Sequence, residues 1–192
     1  MINGTVICFP IVGYNTIRQR SQQMMSILGK YGITVYHVNP HLTKQVLIAV
    51  STTDTNVLEV FLPVSPYPTR GMNPINAASV AEMLCKYIHG YPVVLWVNAP
   101  YWYDLVLHIV TYLGSAGKEY KLVYDVMDAF QHFDDLKQYH DILIKNHNNL
   151  LSIADLCIYT ANQLKDVLPN INKHRQLLHI PNGVNIEEWN VR

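Results

Sequence analysis

The chain has 192 residues, with 14 Lys+Arg against 14 Asp+Glu and therefore a formal net charge of zero. An apolar fraction of 49% supplies a core and excludes disorder, and the balanced charge excludes a broad nucleic-acid face, which needs clustered Lys and Arg. Charged residues make up 15%, below the usual level of about 25%, which points to a surface that meets another domain, a partner or a membrane.

In chain order, eight β-rich runs read as strands: Val6–Phe9, Thr34–Val38, Gln45–Val50, Val57–Leu62, Val93–Val97, Lys121–Val126, Leu156–Tyr159 and Leu177–Ile180. They are apolar on both faces, as expected of strands covered by helices. Pro10, Pro40, Pro63, Pro100 and Pro181 follow five of them and punctuate their ends.

Helical periodicity fills the intervals. Met24, Ile27, Leu28 and Tyr31 form a stripe that stops at Gly32, after a Thr16–Gln19 capping box. Val80, Leu84, Tyr87 and Ile88 form a second, with Asn73 as cap and Pro74 as first helical residue. Leu105, Ile109, Tyr112 and Leu113 form a third, Leu136–Ile153 a fourth, and Thr160–Gln163 opens a fifth. This βα alternation predicts an α/β fold: a Rossmann-like, doubly wound, mostly parallel sheet with helices on both faces.

Only Ser51–Asn56 separates the third and fourth strands, too little for a helical crossover, so they form an antiparallel hairpin at a sheet edge. Pro63–Pro74 reads as a surface loop, a lid or a rigid connector. Residues 1–184 make one domain, and 185–192 read as a capped helical start that opens a linker to a further domain. Cys8, Cys85 and Cys157 read as small buried hydrophobes of a reducing compartment, and no apolar run approaches the length of a membrane span. A cytoplasmic protein is expected.

In open parallel sheets, ligands bind at the carboxyl ends of the strands near the switch in strand order. That brings forward three segments: Pro10–Thr16, Asn98–Trp102 and Asp125–Phe133. Gly13 and Tyr14 precede a helix start followed by Arg18 and Arg20, a combination suited to phosphate or, equally, to a plain turn and solvated charges. Asp125 and Asp128 are carboxylates at a strand end beside Phe130. Asp128 is the candidate base, whereas Asp134 and Asp135 cap the next helix. Asn98, Tyr101 and Trp102 suit either sugar stacking or anchorage on the sheet. G-x-G-x-x-G, Walker and G-x-S-x-G patterns are absent. The His37/His41 and His140/His147 pairs lack the spacing of a metal site, so no metal is expected.

Three stretches carry a family resemblance. Arg18–Gln23 with Tyr31–Val35, Tyr124–Asp128, and Ala154–Thr160 with Ile180–Asn185 are similar to the first domain of GT-B-fold, family-four retaining glycosyltransferases of the bacterial polysaccharide type. The resemblance spans nearly the whole chain and is most specific in the last stretch.

It implies an acceptor-side domain that moves a sugar from a nucleotide-sugar to a glycan or lipid-linked acceptor, without metal, in concert with a C-terminal nucleotide-sugar-binding domain. Asp128 would orient or deprotonate the acceptor. Gly13, Tyr14, Arg18 and Arg20 would face the donor phosphates, and Asn98, Tyr101, Trp102, Asp125 and Phe130 would shape the acceptor floor. Asn182 and Gly183 would form the interdomain hinge. The 192-residue chain alone is expected to be inactive, with peripheral contact at the inner membrane face left open. The family's glycine-rich loop is reduced here to Gly13, and the His-Asp dipeptide of some relatives is absent. The competing reading is a self-contained Rossmann-like module that binds a ligand or partner without catalysis.

Overall fold

The computed structural model describes residues 4–15, 18–42, 47–50, 56–62, 77–168 and 176–183. Thr16 and Ile17, Ser51–Thr55, the Pro63–Pro74 segment and Asn185–Arg192 lie outside them.

All eight expected strands form: β1 Thr5–Phe9, β2 Thr34–Leu42, β3 Leu47–Val50, β4 Val57–Leu62, β5 Val93–Val97, β6 Tyr120–Val126, β7 Leu156–Tyr159 and β8 Gln176–His179. They join one sheet in the order β3-β4-β2-β1-β5-β6-β7-β8. Seven are mutually parallel, and β3 alone runs antiparallel, pairing Leu47 with Phe61 at the edge. The chain winds from β1 toward β2 and β4, then returns to β1's other side at β5, so the switch in strand order lies between β1 and β5.

Among the described residues, four α-helices complete the layers: α1 Arg20–Lys30, α2 Ala77–Lys86, α3 Tyr103–Ser115 and α4 His140–Ile153. Alternation along β1 divides the core. Ile7 and Phe9 join Val80, Leu84, Ile109, Leu113 and Leu150 from α2, α3 and α4. Val6 and Cys8 face the other way, with Met25 of α1, Val35 and Val57.

Four expectations change. First, β2 runs through Pro40 to Leu42, because the register with β4 shifts between Asn39 and Leu42 and so accommodates a residue that cannot donate to the ladder. Second, α1 buries Ser21, Gln22, Met25, Ser26 and Gly29, while Ile27 is 43% and Tyr31 79% exposed. Small residues bring this helix onto the sheet: a Cβ at Gly29 would stand 3.2 Å from Val57 Cγ2. Third, the segment after β7 is a 3₁₀ turn, Asn162–Val167, and another, Asp134–Tyr139, opens the stretch read as the fourth helix. Fourth, β8 is exposed at all four residues, as an edge strand paired only with β7.

Candidate functional site

The carboxyl ends of β1, β5 and β6 are built from polar side chains. After β1, the loop Pro10–Asn15 is tied down along its length. Trp102, in the 3₁₀ turn Pro100–Trp102 after β5, donates its indole N–H to the Pro10 carbonyl at 2.7 Å. Tyr101 donates its hydroxyl to the Ile11 carbonyl at 3.2 Å. The Gln22 amide donates to the carbonyls of Val12 and Gly13 at 3.2 and 3.1 Å. The Tyr14 N–H donates to Asn39 Oδ1 at 3.0 Å, and Asn39 and Asn15 each donate to one oxygen of the Glu59 carboxylate. Helix α1 opens at Gln19, whose N–H is accepted by Gln22 Oε1 at 3.1 Å, so the capping box stands three residues beyond the expected one.

Beneath the strand ends, Asp125 is fully buried. Its Oδ2 accepts from Arg20 Nε at 3.0 Å, Trp96 Nε1 at 3.2 Å and Asn98 Nδ2 at 3.3 Å. Asn98 in turn accepts from the Cys8 thiol at 3.6 Å. Arg20 continues outward, donating from Nη1 to the Pro181 carbonyl at 3.1 Å. Burial pushes the Asp125 carboxyl up, against the downward pull of Arg20 and then of Trp96 and Asn98.

Above this network opens a cavity of about 330 Å³. Arg18, Gln19, Arg20 and Gln23 form one wall; Met127 and Asp128 follow β6, and Asn182 and Gly183 follow β8. The Met127 carbonyl is held by the Thr160 hydroxyl at 3.2 Å, which fixes the turn that presents Asp128. Asp128 is half-buried, and burial raises its pKa from 3.8. A carboxylate with a raised pKa in a polar cleft can accept a hydroxyl proton, and an exposed guanidinium such as Arg18 can face an anion.

The cavity thus gathers Asp128, Arg18, Arg20, Asn182 and Gly183 from three distant segments. Gly13 and Tyr14 are buried beside the loop contacts above and stand outside the lining. So do Asn98, Trp102, Asp125 and Phe130, all buried, and the half-buried Tyr101. Trp102 is 1% exposed and packs on Phe9 at 5.6 Å between ring centroids, while Tyr101 meets Phe130 edge-on at 6.2 Å.

The sequence reading missed Gln19, Gln23 and Met127 in the lining and Gln22, Asn39, Glu59 and Trp96 behind it. The signal for one of these was present: Glu59 is a charged residue inside the otherwise apolar run Val57–Leu62. Among the described residues no three His, Cys, Asp or Glu come together as a metal group, and no helix is long and apolar enough to cross a membrane. Cys8, Cys85 and Cys157 are buried thiols, none of them in a disulfide.

No family model and no curated protein matches the sequence. Solved structures do. A UDP-forming α,α-trehalose-phosphate synthase from Burkholderia vietnamiensis superposes with TM-score 0.57 at 13% identity, over 96% of this chain and 49% of that one. Another, from Burkholderia xenovorans in complex with glucose-6-phosphate, gives 0.54 at 12% identity, over 97% and 51%. A sucrose-phosphate synthase from Thermosynechococcus elongatus gives 0.53 at 16%, over 96% and 92%. The chain therefore spans about half the length of the two trehalose-phosphate synthases. At these identities the likeness is one of fold and does not single out family four. The chain has the Rossmann-like fold of a GT-B glycosyltransferase domain.

Proposed function

We propose that the chain is the acceptor-side domain of a nucleotide-sugar-dependent glycosyltransferase that acts on a glycan or lipid-linked acceptor of cell-surface polysaccharide. The observation that carries this is the polar cavity at the strands' carboxyl ends, which Asp128 and Arg18 both line, in a fold shared with UDP-forming sugar transferases. Asp128 accepts a hydrogen bond from the acceptor hydroxyl and takes its proton as the new glycosidic C–O bond forms and the donor's anomeric C–O bond to phosphate breaks, the nucleoside diphosphate leaving as the anion. Arg18 faces the donor phosphates, with the N-terminus of α1 behind it adding a favourable dipole. The amide side chains of Gln19, Gln23 and Asn182 bind sugar hydroxyls. Metal-independence and retention of configuration come from the family-four resemblance and are part of the same proposal. So is the pairing with a C-terminal domain hinged at Asn182 and Gly183.

The test is a titration of the ¹⁵N-labelled chain with UDP-glucose, then with UDP and with glucose-6-phosphate. The expected result is amide shifts confined to Gln19, Gln23, Asp128 and Gly183, with Asp128→Ala weakening binding of the sugar-bearing ligands at least tenfold. Shifts elsewhere, or none with any of the three, overturn the reading.

A further inference from the structure

Arg20 lines the cavity, yet its side chain is only 8% exposed and two of its three nitrogens are spent inside the protein. Nε donates to Asp125 Oδ2 and Nη1 to the Pro181 carbonyl. Nη2 is buried and makes no hydrogen bond, and neither does Asp125 Oδ1. The two groups are thus bonded to each other and to the chain, with Nη2 and Oδ1 closed off from solvent.

We infer that Arg20 and Asp125 are positioning residues: their ion pair, extended to Pro181, sets the distance between the three walls of the cavity. The inference rests on the reading of that cavity as the substrate site. The first wall begins at α1, where Arg20 is the first helical residue. The second follows β6, where Asp125 stands three residues before Asp128. The third follows β8, where Pro181 precedes Asn182 and Gly183. No β-ladder links α1 to either strand end; the guanidinium does. Only a planar fork donates in two fixed directions at once, so the ammonium of a lysine, though equally charged, cannot replace it. Trp96 and Asn98 hold the same Asp125 oxygen from β5 and the residue after it, which stops the carboxylate from following Arg20 if the helix shifts.

The neighbouring Ile180 N–H, bonded to the Tyr159 carbonyl at 3.0 Å, reports on this link. In Arg20→Lys, exchange of the Ile180 amide is expected to accelerate at least tenfold while the Leu95 and Val123 amides keep their rates. UDP-glucose affinity should fall at least tenfold.

Because a single variant leaves a buried charge unpaired, the double variant Arg20→Met/Asp125→Asn separates positioning from stability. It should regain the melting temperature lost by Arg20→Met alone and recover neither Ile180 protection nor affinity. Unchanged Ile180 exchange in Arg20→Lys overturns the inference, as does full affinity in the double variant. If wild-type chain shows no shifts with UDP-glucose, UDP or glucose-6-phosphate, the functional reading fails, and Ile180 exchange alone decides whether the pair sets the walls.

Discussion

Arg20 Nε lies 3.0 Å from Asp125 Oδ2, joining two residues 105 positions apart where α1 begins and β6 ends. Removing either partner leaves a buried charge without its counter-ion, a loss of about 3–5 kcal/mol in such pairs. Asp125→Ala also strips the acceptor from Trp96 Nε1 and Asn98 Nδ2. Urea unfolding of Asp125→Ala should therefore show a loss in that range, with an unchanged slope. A loss under about 1 kcal/mol, the size of an ordinary hydrogen bond, would mean that water or another group compensates the pair.

His37, in β2, is fully buried, packs edge-on against Tyr14 at 4.9 Å, and has no hydrogen-bond partner for either ring nitrogen. Burial lowers its pKa from 6.5 to about 3. Between those values the unfolded chain takes up a proton that the folded chain refuses. The stabilisation by neutral His37 is then complete above pH 6.5 and is lost as pH falls toward 3. The slope is at most about 1.4 kcal/mol per pH unit. Subtracting the unfolding free energy of His37→Leu from that of wild type at each pH should give a flat difference above 6.5 that declines below it. A pH-independent difference would show that the imidazole is reached by water.

Helix α1 turns its small and amide side chains inward. Gly29→Val drives two methyl groups toward Val57, whose Cγ2 stands 3.2 Å from where even a Cβ would lie, and should cost about 1–3 kcal/mol as overpacking does. Ile27→Ser changes an exposed position and should shift stability by no more than about 0.5 kcal/mol. Thermal melts of the two variants rank them. The opposite ranking would restore Ile27 to the packed face beside Met24 and Leu28, the two members of the expected stripe that do lie against the core.

That helix shows where the sequence is legible and where it is not. Strands announce themselves locally, because β-branched and aromatic runs ended by proline or polar residues have few alternatives, and all eight appear within a few residues of their expected bounds. Helix orientation depends on a partner surface. Gln22 and Ser26 look solvent-facing in a periodicity count, but both are buried, Gln22 drawn inward by the carbonyls of Val12 and Gly13. The candidate site divides the same way. Asp128 was readable because a carboxylate at a strand's carboxyl end has a generic place in this architecture. The pairing of Arg20 with Asp125 and Pro181 was not, since nothing local marks one arginine as internal and Arg18, two residues earlier, as exposed.

Trp102 separates an anchoring aromatic from one that receives a sugar. Its indole N–H is the hydrogen bond that holds the Pro10 carbonyl, and its ring is packed on Phe9 with 1% of its surface exposed. Trp102→Phe keeps much of the ring contact and removes that carbonyl's shorter hydrogen bond, leaving it the Tyr101 hydroxyl at 3.5 Å, at a cost of about 0.5–1.5 kcal/mol. Because Trp102 stands outside the cavity, the same variant should bind UDP-glucose within twofold of wild type at a temperature where both are folded. Denaturant unfolding and the ligand titration, run on one preparation, check the two halves together. A large loss of affinity with little loss of stability would instead place a sugar against the indole and move the acceptor floor toward the segment after β5.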